Sequence, residues 1–333
     1  MNNKTLVAIG GGNGTTQVIL SSRPYFKELA AVVGVTDFGR STGVARAIGK
    51  IPAPGDIRNT IANLALNPDE PIVKLLQHRF GGDAIPQLEG MAVGNLLLAA
   101  LSQMSGSFSE SVLELQHLVG CMAEILPVSD MNVDLCAELE DGTITHNELE
   151  TRGTNKSPIK RLFLSKSPAP ALNLVLEKIK QADLVVIGPG SFYTSIVATL
   201  VFEGMKEALK ECKGNVIYIC NTTTQPGQAD SFTATDYITK MCRFLGDGVV
   251  DYALVSKNVT ISREVLQKYA ADGIRVLQPD ATEVAHFLAL PCKVIYEDFA
   301  ENPQDKREIW NKLDTIRHDH EKLGKVLNSL IKL

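Results

Sequence analysis

Three short apolar runs in this chain break off into loops whose composition suits an anionic ligand. Thr5–Ile9 stops at Gly10-Gly11-Gly12-Asn13-Gly14, Leu184–Ile187 at Gly188-Pro189-Gly190-Ser191, and Val216–Cys220 at Asn221-Thr222-Thr223-Thr224-Gln225-Pro226-Gly227. Glycines at strand ends let the backbone approach a ligand, and a following helix turns its N–H groups and positive dipole end toward an anion. A phosphate-bearing ligand is the chemistry these loops share. Two common phosphate motifs are missing. No lysine follows the glycines as a P-loop requires, and the third glycine of a dinucleotide fingerprint counted from Gly10 and Gly12 falls on Thr15. ATP hydrolysis and nicotinamide binding are therefore disfavoured.

A fourth polar stretch reads as a loop running from Thr36 to Asn63. It opens with Thr36-Asp37-Phe38-Gly39-Arg40-Ser41-Thr42-Gly43, just after the apolar run Ala30–Val35. Asp37 thus stands at a strand end, where an acidic residue takes ribose hydroxyls or caps a turn. A helix starting near Asp56 would set Asp56, Asn59 and Asn63 on one face and turn Ile57, Ile61 and Leu64 to the core. Asp56 also suits an N-cap. Gly94-Asn95 opens the apolar helix Val93–Met104, where Asn95 is either a satisfied buried amide or a ligand contact. Ser191 lacks the G-x-S-x-G frame of a nucleophile elbow, so its hydroxyl and N–H are read as phosphate contacts. The six histidines make no zinc pattern, and His318 and His320 read as surface or seam positions of a tail helix.

The elements that would position these loops alternate. Strands at Thr5–Ile9, Ala30–Val35, Leu184–Ile187, Val216–Cys220 and Tyr252–Val255 are separated by helical patterns at Thr15–Ser22, Ile57–Leu66, Glu70–Gln77, Ala171–Lys180, Tyr193 to Lys210 and Ala234–Leu245. That rhythm predicts a mainly parallel sheet with helices on both faces. In such a sheet ligands bind beyond the carboxyl ends of the strands. Val133–Leu139 and Thr143–Leu149 around Asp141-Gly142 predict a β-hairpin excursion. Residues 1–300 are expected to form one α/β unit with this insertion near 133–165, and 301–333 a C-terminal helix. In that tail Ile309, Leu313, Ile316, His320, Leu323, Leu327 and Leu330 alternate spacings of 4 and 3. This is a packing seam for the domain itself or for a homodimer.

Of the 333 residues 44% are hydrophobic and 21% charged, and the formal charge is −5 with no basic run. Nucleic-acid binding is disfavoured. No apolar run approaches the ~18 residues of a membrane span. The six dispersed cysteines read as reduced core residues and the location as cytoplasmic.

Gly10–Gly14, Asp37 to Arg46, Pro54-Gly55-Asp56-Ile57-Arg58-Asn59, Gly94-Asn95 with the Leu/Ala run to Leu101, Gly188 to Ser195 and Cys220 to Gly227 follow one another in a fixed order. As a set they resemble the gluconeogenesis factor (YvcK-like) family, which is similar to the CofD-type 2-phospho-L-lactate transferases. The resemblance implies a Rossmann-like α/β domain. It implies either a UDP-sugar-binding regulatory protein tied to gluconeogenic growth and cell shape, or a transferase. The transferase would move a phospholactyl group from a guanosine diphosphate carrier to a deazaflavin precursor with magnesium. The candidate nucleotide- and phosphate-binding residues are Gly11, Gly12, Asn13, Gly14, Thr36, Asp37, Arg40, Ser41, Asp56, Asn59, Asn63, Gly94, Asn95, Gly188, Pro189, Gly190, Ser191, Asn221, Thr222, Thr223 and Thr224. This chain departs from the family at Asp37-Phe38, where two consecutive aspartates are usual, and at Gly39-Arg40-Ser41-Thr42-Gly43, where Gly-Gly-Ser-Ser-Gly is usual. Magnesium prefers carboxylates, so Asp37 is left as the metal candidate and Arg40 as an offset to phosphate charge. The loops form a binding set with no evident general base, which favours binding without turnover.

Overall fold

The computed structural model describes residues 2–82, 85–86, 88–258, 261–301 and 316–332. The chain opens with strand β1 (Asn2–Gly10), helix α1 (Gly12–Ser22) and strand β2 (Phe26–Val33). Helix α1 starts three residues earlier than periodicity suggested, so Gly12, Asn13 and Gly14 are its first turn. The stretch read as one loop holds helix α2 (Arg40–Gly49) before α3 (Gly55–Asn63). Glycines at both its ends and few large apolar residues concealed α2. Helices α4 (Pro71–Gln77), α5 (Val93–Ser105) and α6 (Phe108–Val119) lead to strand β3 (Glu124–Pro127).

The excursion is a small antiparallel sheet of β4 (Leu135–Leu139), β5 (Ile144–Thr145) and β6 (Ile159–Leu164), in order β5-β4-β6. The return strand is shorter than expected. Asn147 accepts a hydrogen bond from the Glu150 N–H and starts helix α7 (Glu148–Arg152), which takes Glu148 and Leu149 out of the strand.

Helix α8 (Asn173–Gln181) and strand β7 (Leu184–Ile187) resume the main rhythm. The segment expected as one helix from Tyr193 to Lys210 is a π-helical turn (Phe192–Val197) running into α9 (Ala198–Leu200), then a separate α10 (Met205–Lys210). Gly204, at φ +90°, breaks it. Strand β8 (Asn215–Ile219), helix α11 (Ala234–Leu245), strand β9 (Tyr252–Ser256), helices α12 (Arg263–Ala271) and α13 (Ala281–His286) and strand β10 (Lys293–Glu297) follow.

Among the described residues the main sheet has seven strands in order β10-β9-β8-β7-β1-β2-β3, and every neighbouring pair is parallel. The central strands are buried almost without interruption, as a sheet covered on both faces requires. Among the described residues no helix is long and apolar enough to cross a membrane.

The tail departs from the single seam. Ile309 and Leu313 lie outside the described residues. His318 pairs with Ala300 in an antiparallel bridge, and helix α14 (His320–Ser329) begins only after Asp319, whose side chain caps it. His318 is therefore no helix-surface residue; it is buried. Helix α14 packs within the chain on α1, with Leu323 and Leu327 fully buried. The two helices cross so closely that a Cβ on Gly324 would collide with the Ser21 carbonyl oxygen. Asn215 and Lys332 tie its far end to the start of β8, donating to the Leu330 and Gly214 carbonyls at 2.7 and 3.0 Å. Gly324→Ala is expected to destabilise the fold by about 1–3 kcal/mol, since a backbone contact cannot yield as a side chain can. Urea unfolding measures it, and an unchanged midpoint would refute the close crossing.

Candidate functional site

Strand β1 lies between β2 and β7, so the chain leaves it on one side and later returns on the other. Strand order reverses there, and in open parallel sheets this is where a crevice forms beyond the carboxyl ends. The turns after β1 and β7 meet at that point. A Cβ on Gly14 would land on the Pro189 carbonyl oxygen. One on Gly11 would stand 3.0 Å from both Ser195 Oγ and Asp56 Oδ2, and one on Gly12 2.8 Å from the Asp56 carbonyl oxygen. Gly188 adopts φ +81°, the left-handed region open to glycine.

Beside this contact lies a cavity of about 370 Å³. Helix α1 contributes Asn13, Gly14, Thr16, Gln17 and Leu20 from one face, and α3 contributes Asn63. Pro189 and Gly190 follow from the β7 turn, Asn221, Thr222, Thr223 and Gln225 from the β8 loop, and Ile316, Arg317 and His318 from the segment before α14. Apart from Arg317 and His318 the polar side chains are amides and hydroxyls. Several of the amides are already engaged in fixing the loops. Asn59 donates to Asn13 Oδ1 at 2.8 Å and accepts from Asn63 Nδ2 at 3.3 Å. Asn221 donates to the Gly190 carbonyl at 2.6 Å and accepts from Tyr218 Oη. Gln225 accepts the Phe192 N–H at 2.9 Å, at the start of the π-helical turn. A larger hollow of about 870 Å³ lies toward the amino ends of β1 and β2, away from the glycine loops.

An acidic corner adjoins the α1 N-terminus. The Gly12 N–H binds the Asp56 carboxylate, yet burial and the neighbouring Asp37 push its pKa from the usual 3.8 up to about 6. Arg58 opposes that rise, and is itself held down to about 10 by burial and by Arg79. Thr42 Oγ1 donates to Asp37 Oδ2 at 2.9 Å. Glu148, carried in by α7 and only 4% exposed, accepts the Phe38 N–H, and burial and Asp37 raise its pKa. Phe38 itself lies under the Arg46 guanidinium, 5.5 Å from ring centroid to Cζ.

The other sequence candidates serve the frame. Ser41 Oγ accepts from the Ala92 N–H and from Asn95 Nδ2, and Asn95 Oδ1 accepts from Arg58 Nε, so Asn95 is a satisfied buried amide. Gly94 gives Arg58 room: a Cβ there would stand 2.6 Å from Arg58 Cγ. Thr36 is buried. Thr224 Oγ1 accepts the Arg275 N–H, which turns it away from the cavity. The Ser191 carbonyl caps the π-helical turn by accepting from Ser195 and Ile196. The side chain of Arg40 lies outside what the structure describes. Sequence reasoning missed Gln17, Leu20, Glu148 and the 316–318 wall. An earlier start for α1 would have exposed Gln17 and Leu20, one and two turns beyond Asn13. The Asn147-x-x-Glu150 spacing signalled α7.

A magnesium ion of the transferase kind is not well matched. Among the described residues no three His, Cys, Asp or Glu side chains are placed to hold a metal ion. Asp37 and Asp56 already bind Thr42 and Gly12, and Phe38 stands where a second carboxylate would.

The geometry defines a Rossmann-like α/β protein with its candidate ligand crevice at the switch point of the sheet. The sequence profile of the family described as 2-phospho-L-lactate transferase CofD matches residues 6–300. The gluconeogenesis factor of Bacillus subtilis strain 168 is 35% identical over 100% of both chains. That of Halalkalibacterium halodurans is 38% identical over 98% of this chain and 96% of its own. A crystal structure of a Bacillus halodurans protein matches with a TM-score of 0.87 at 33% identity, covering 98% of this chain and 99% of that one. The chain belongs to the gluconeogenesis factor branch of the CofD family.

Because Asp56 is harder to ionise in the folded state, the folded chain binds more protons than the unfolded one between about pH 4 and 6, and stability falls as pH rises through that window. Asp56→Asn removes the cost. It is expected to be more stable than wild type by about 1–2 kcal/mol at pH 7.5, after allowance for partial exposure. Urea midpoints from pH 4 to 7.5 test this: the gap between the two proteins should open between pH 4 and 6, and a gap independent of pH would refute it.

Proposed function

We propose that this protein is a cytoplasmic regulator that binds a nucleotide sugar, with a UDP-sugar as its ligand and carbon metabolism and cell shape as its setting. The observation that carries the reading is the chemistry of the cavity wall. Asn13, Thr16, Gln17, Asn63, Thr222 and Thr223, residues that carry amides and hydroxyls, line a space of about 370 Å³, within the range that holds small-molecule ligands. Such neutral groups exchange hydrogen bonds with sugar hydroxyls and base carbonyls. The glycine turns beside them bring backbone close enough for phosphates. Leu20 and Ile316 supply apolar surface for a ring. The metabolic setting rests on the family resemblance.

The family profile favours a second reading, a CofD-type transferase with a guanosine diphosphate-linked donor. The two readings differ in base and in metal. Calorimetric titration with UDP-glucose and with GDP, each with and without magnesium at matched ionic strength, separates them. Binding of UDP-glucose with little magnesium dependence is expected. Strict magnesium dependence with preference for GDP would replace the regulatory reading with the transferase. Asp37→Asn is expected to weaken UDP-glucose binding by about 1.5–3 kcal/mol, the worth of a charge-assisted hydrogen bond, with the circular dichroism spectrum of the free protein showing the fold intact. Unaltered affinity would remove Asp37 from the site.

A further inference from the structure

The wall of the cavity made by residues 316–318 is held as firmly as a strand. Ala300 and His318 form an antiparallel bridge, the Glu301 N–H donates to the Arg317 carbonyl at 2.9 Å, and the Asp319 N–H donates to the Phe299 carbonyl at 2.7 Å. The Ile316 N–H donates to Tyr269 Oη at 3.0 Å. The position of His318 is therefore fixed by backbone on both sides. Its side chain is 6% exposed, lines the cavity, and leaves Nε2 without a hydrogen-bond partner. An unpaired buried polar atom is costly, and native structures keep few of them.

Neighbouring polar groups have been satisfied locally. Asn221 is bound to Gly190, and Gln17 meets His320 Nε2 at 2.6 Å. Burial holds the His318 imidazole far below its usual pKa, at about 4, so at neutral pH it is uncharged, with one N–H donor and one nitrogen acceptor. A neutral ring of this kind brings no positive charge to a phosphate. Its one unpaired nitrogen, Nε2, can make a single hydrogen bond, which suits an uncharged heterocycle that presents a ring N–H to it. Leu20 and Ile316 add the apolar faces that such a ring stacks against, while the glycine backbone of Gly14 and Gly190 lies in another part of the same wall.

Building on the nucleotide-sugar reading, we propose that His318 is a specificity-determining residue: it reads the pyrimidine edge, so that the base lies at the 316–318 wall and the diphosphate at the glycine turns. The test is calorimetry on the full chain with UDP-glucose, UDP, UDP methylated at N3 of the base, and inorganic pyrophosphate. For wild type, N3 methylation is expected to cost tenfold or more in affinity. His318→Phe is expected to lose tenfold or more for UDP-glucose and to keep pyrophosphate affinity within about twofold, and His318→Asn, which restores a donor and an acceptor, recovers part of the loss. Equal binding of UDP and N3-methyl-UDP by wild type overturns the assignment, and this measurement needs no variant to fold. Equal losses of UDP-glucose and pyrophosphate in His318→Phe also overturn it, by showing a structural role. Should wild type bind UDP-glucose no better than pyrophosphate, the nucleotide-sugar reading falls and takes the assignment with it. Tight UDP-glucose binding that ignores both changes leaves that reading standing and removes His318 alone.

Discussion

The contact of three backbones at the carboxyl ends of β1 and β7 is the constraint on which the remaining architecture depends. Side chains are missing at Gly11, Gly12 and Gly14, so α1 begins almost at the last residue of its strand and lies against the Pro189 carbonyl. The same absence lets α3 come in from the other side, close enough for Thr60 Oγ1 to reach the Gly12 carbonyl at 3.3 Å. The turn after β7 responds by widening: the Ile196 N–H bonds to the Ser191 carbonyl five residues back at 2.9 Å, in the manner of a π-helix. A crevice at the switch point follows from strand order alone, but its narrow floor follows from these glycines.

Electrostatics at that floor run against the simplest expectation for a phosphate loop. The α1 N-terminus, which favours negative charge, is already occupied by a carboxylate from the chain itself. Burial first, and then the charge of Asp37, raises the proton affinity of both Asp56 and Glu148. The corner is thus a place where charge is crowded and proton-sensitive, beside a cavity walled mainly by uncharged amides. Hydrogen-bonded networks of this sort specify geometry when fully paired. The chain Gln77–Asn59–Asn13, with Asn63 joining at Asn59, is such a network and links α4, α3 and α1.

Strand ends were legible because buried parallel strands are near-continuous apolar runs, and Leu184–Ile187 and Ala234–Leu245 agree with the observed elements to the residue. Helix α2 was illegible because its glycines and hydroxyl residues imitate a loop. Its role becomes visible only in space, where Thr42 binds Asp37 and Ser41 binds the start of α5. For Asn95 the sequence left a satisfied amide and a ligand contact both open, because an amide in an apolar helix demands a partner and one such partner, Arg58, lies 37 positions away. The tail misled in the opposite direction. Its heptad spacing is real from His320 onward, but the spacing cannot show that Ile316–His318 leave the helix to pair with Ala300. Local pattern reports which face is apolar; long-range pairing decides what covers it.

Residues 316–318 also carry a meaning in time. They are added after all strands of the main sheet have been made, and domains tend to assemble from the N-terminus as they are synthesised. A nascent chain can therefore complete its seven-stranded sheet while the cavity still lacks one wall and α1 still lacks α14 across it. A chain ending before residue 316 would lack both that wall and the packing of α14 on α1. The side of the cavity made by residues 316–318 is therefore closed only once every strand of the seven-stranded sheet has been synthesised.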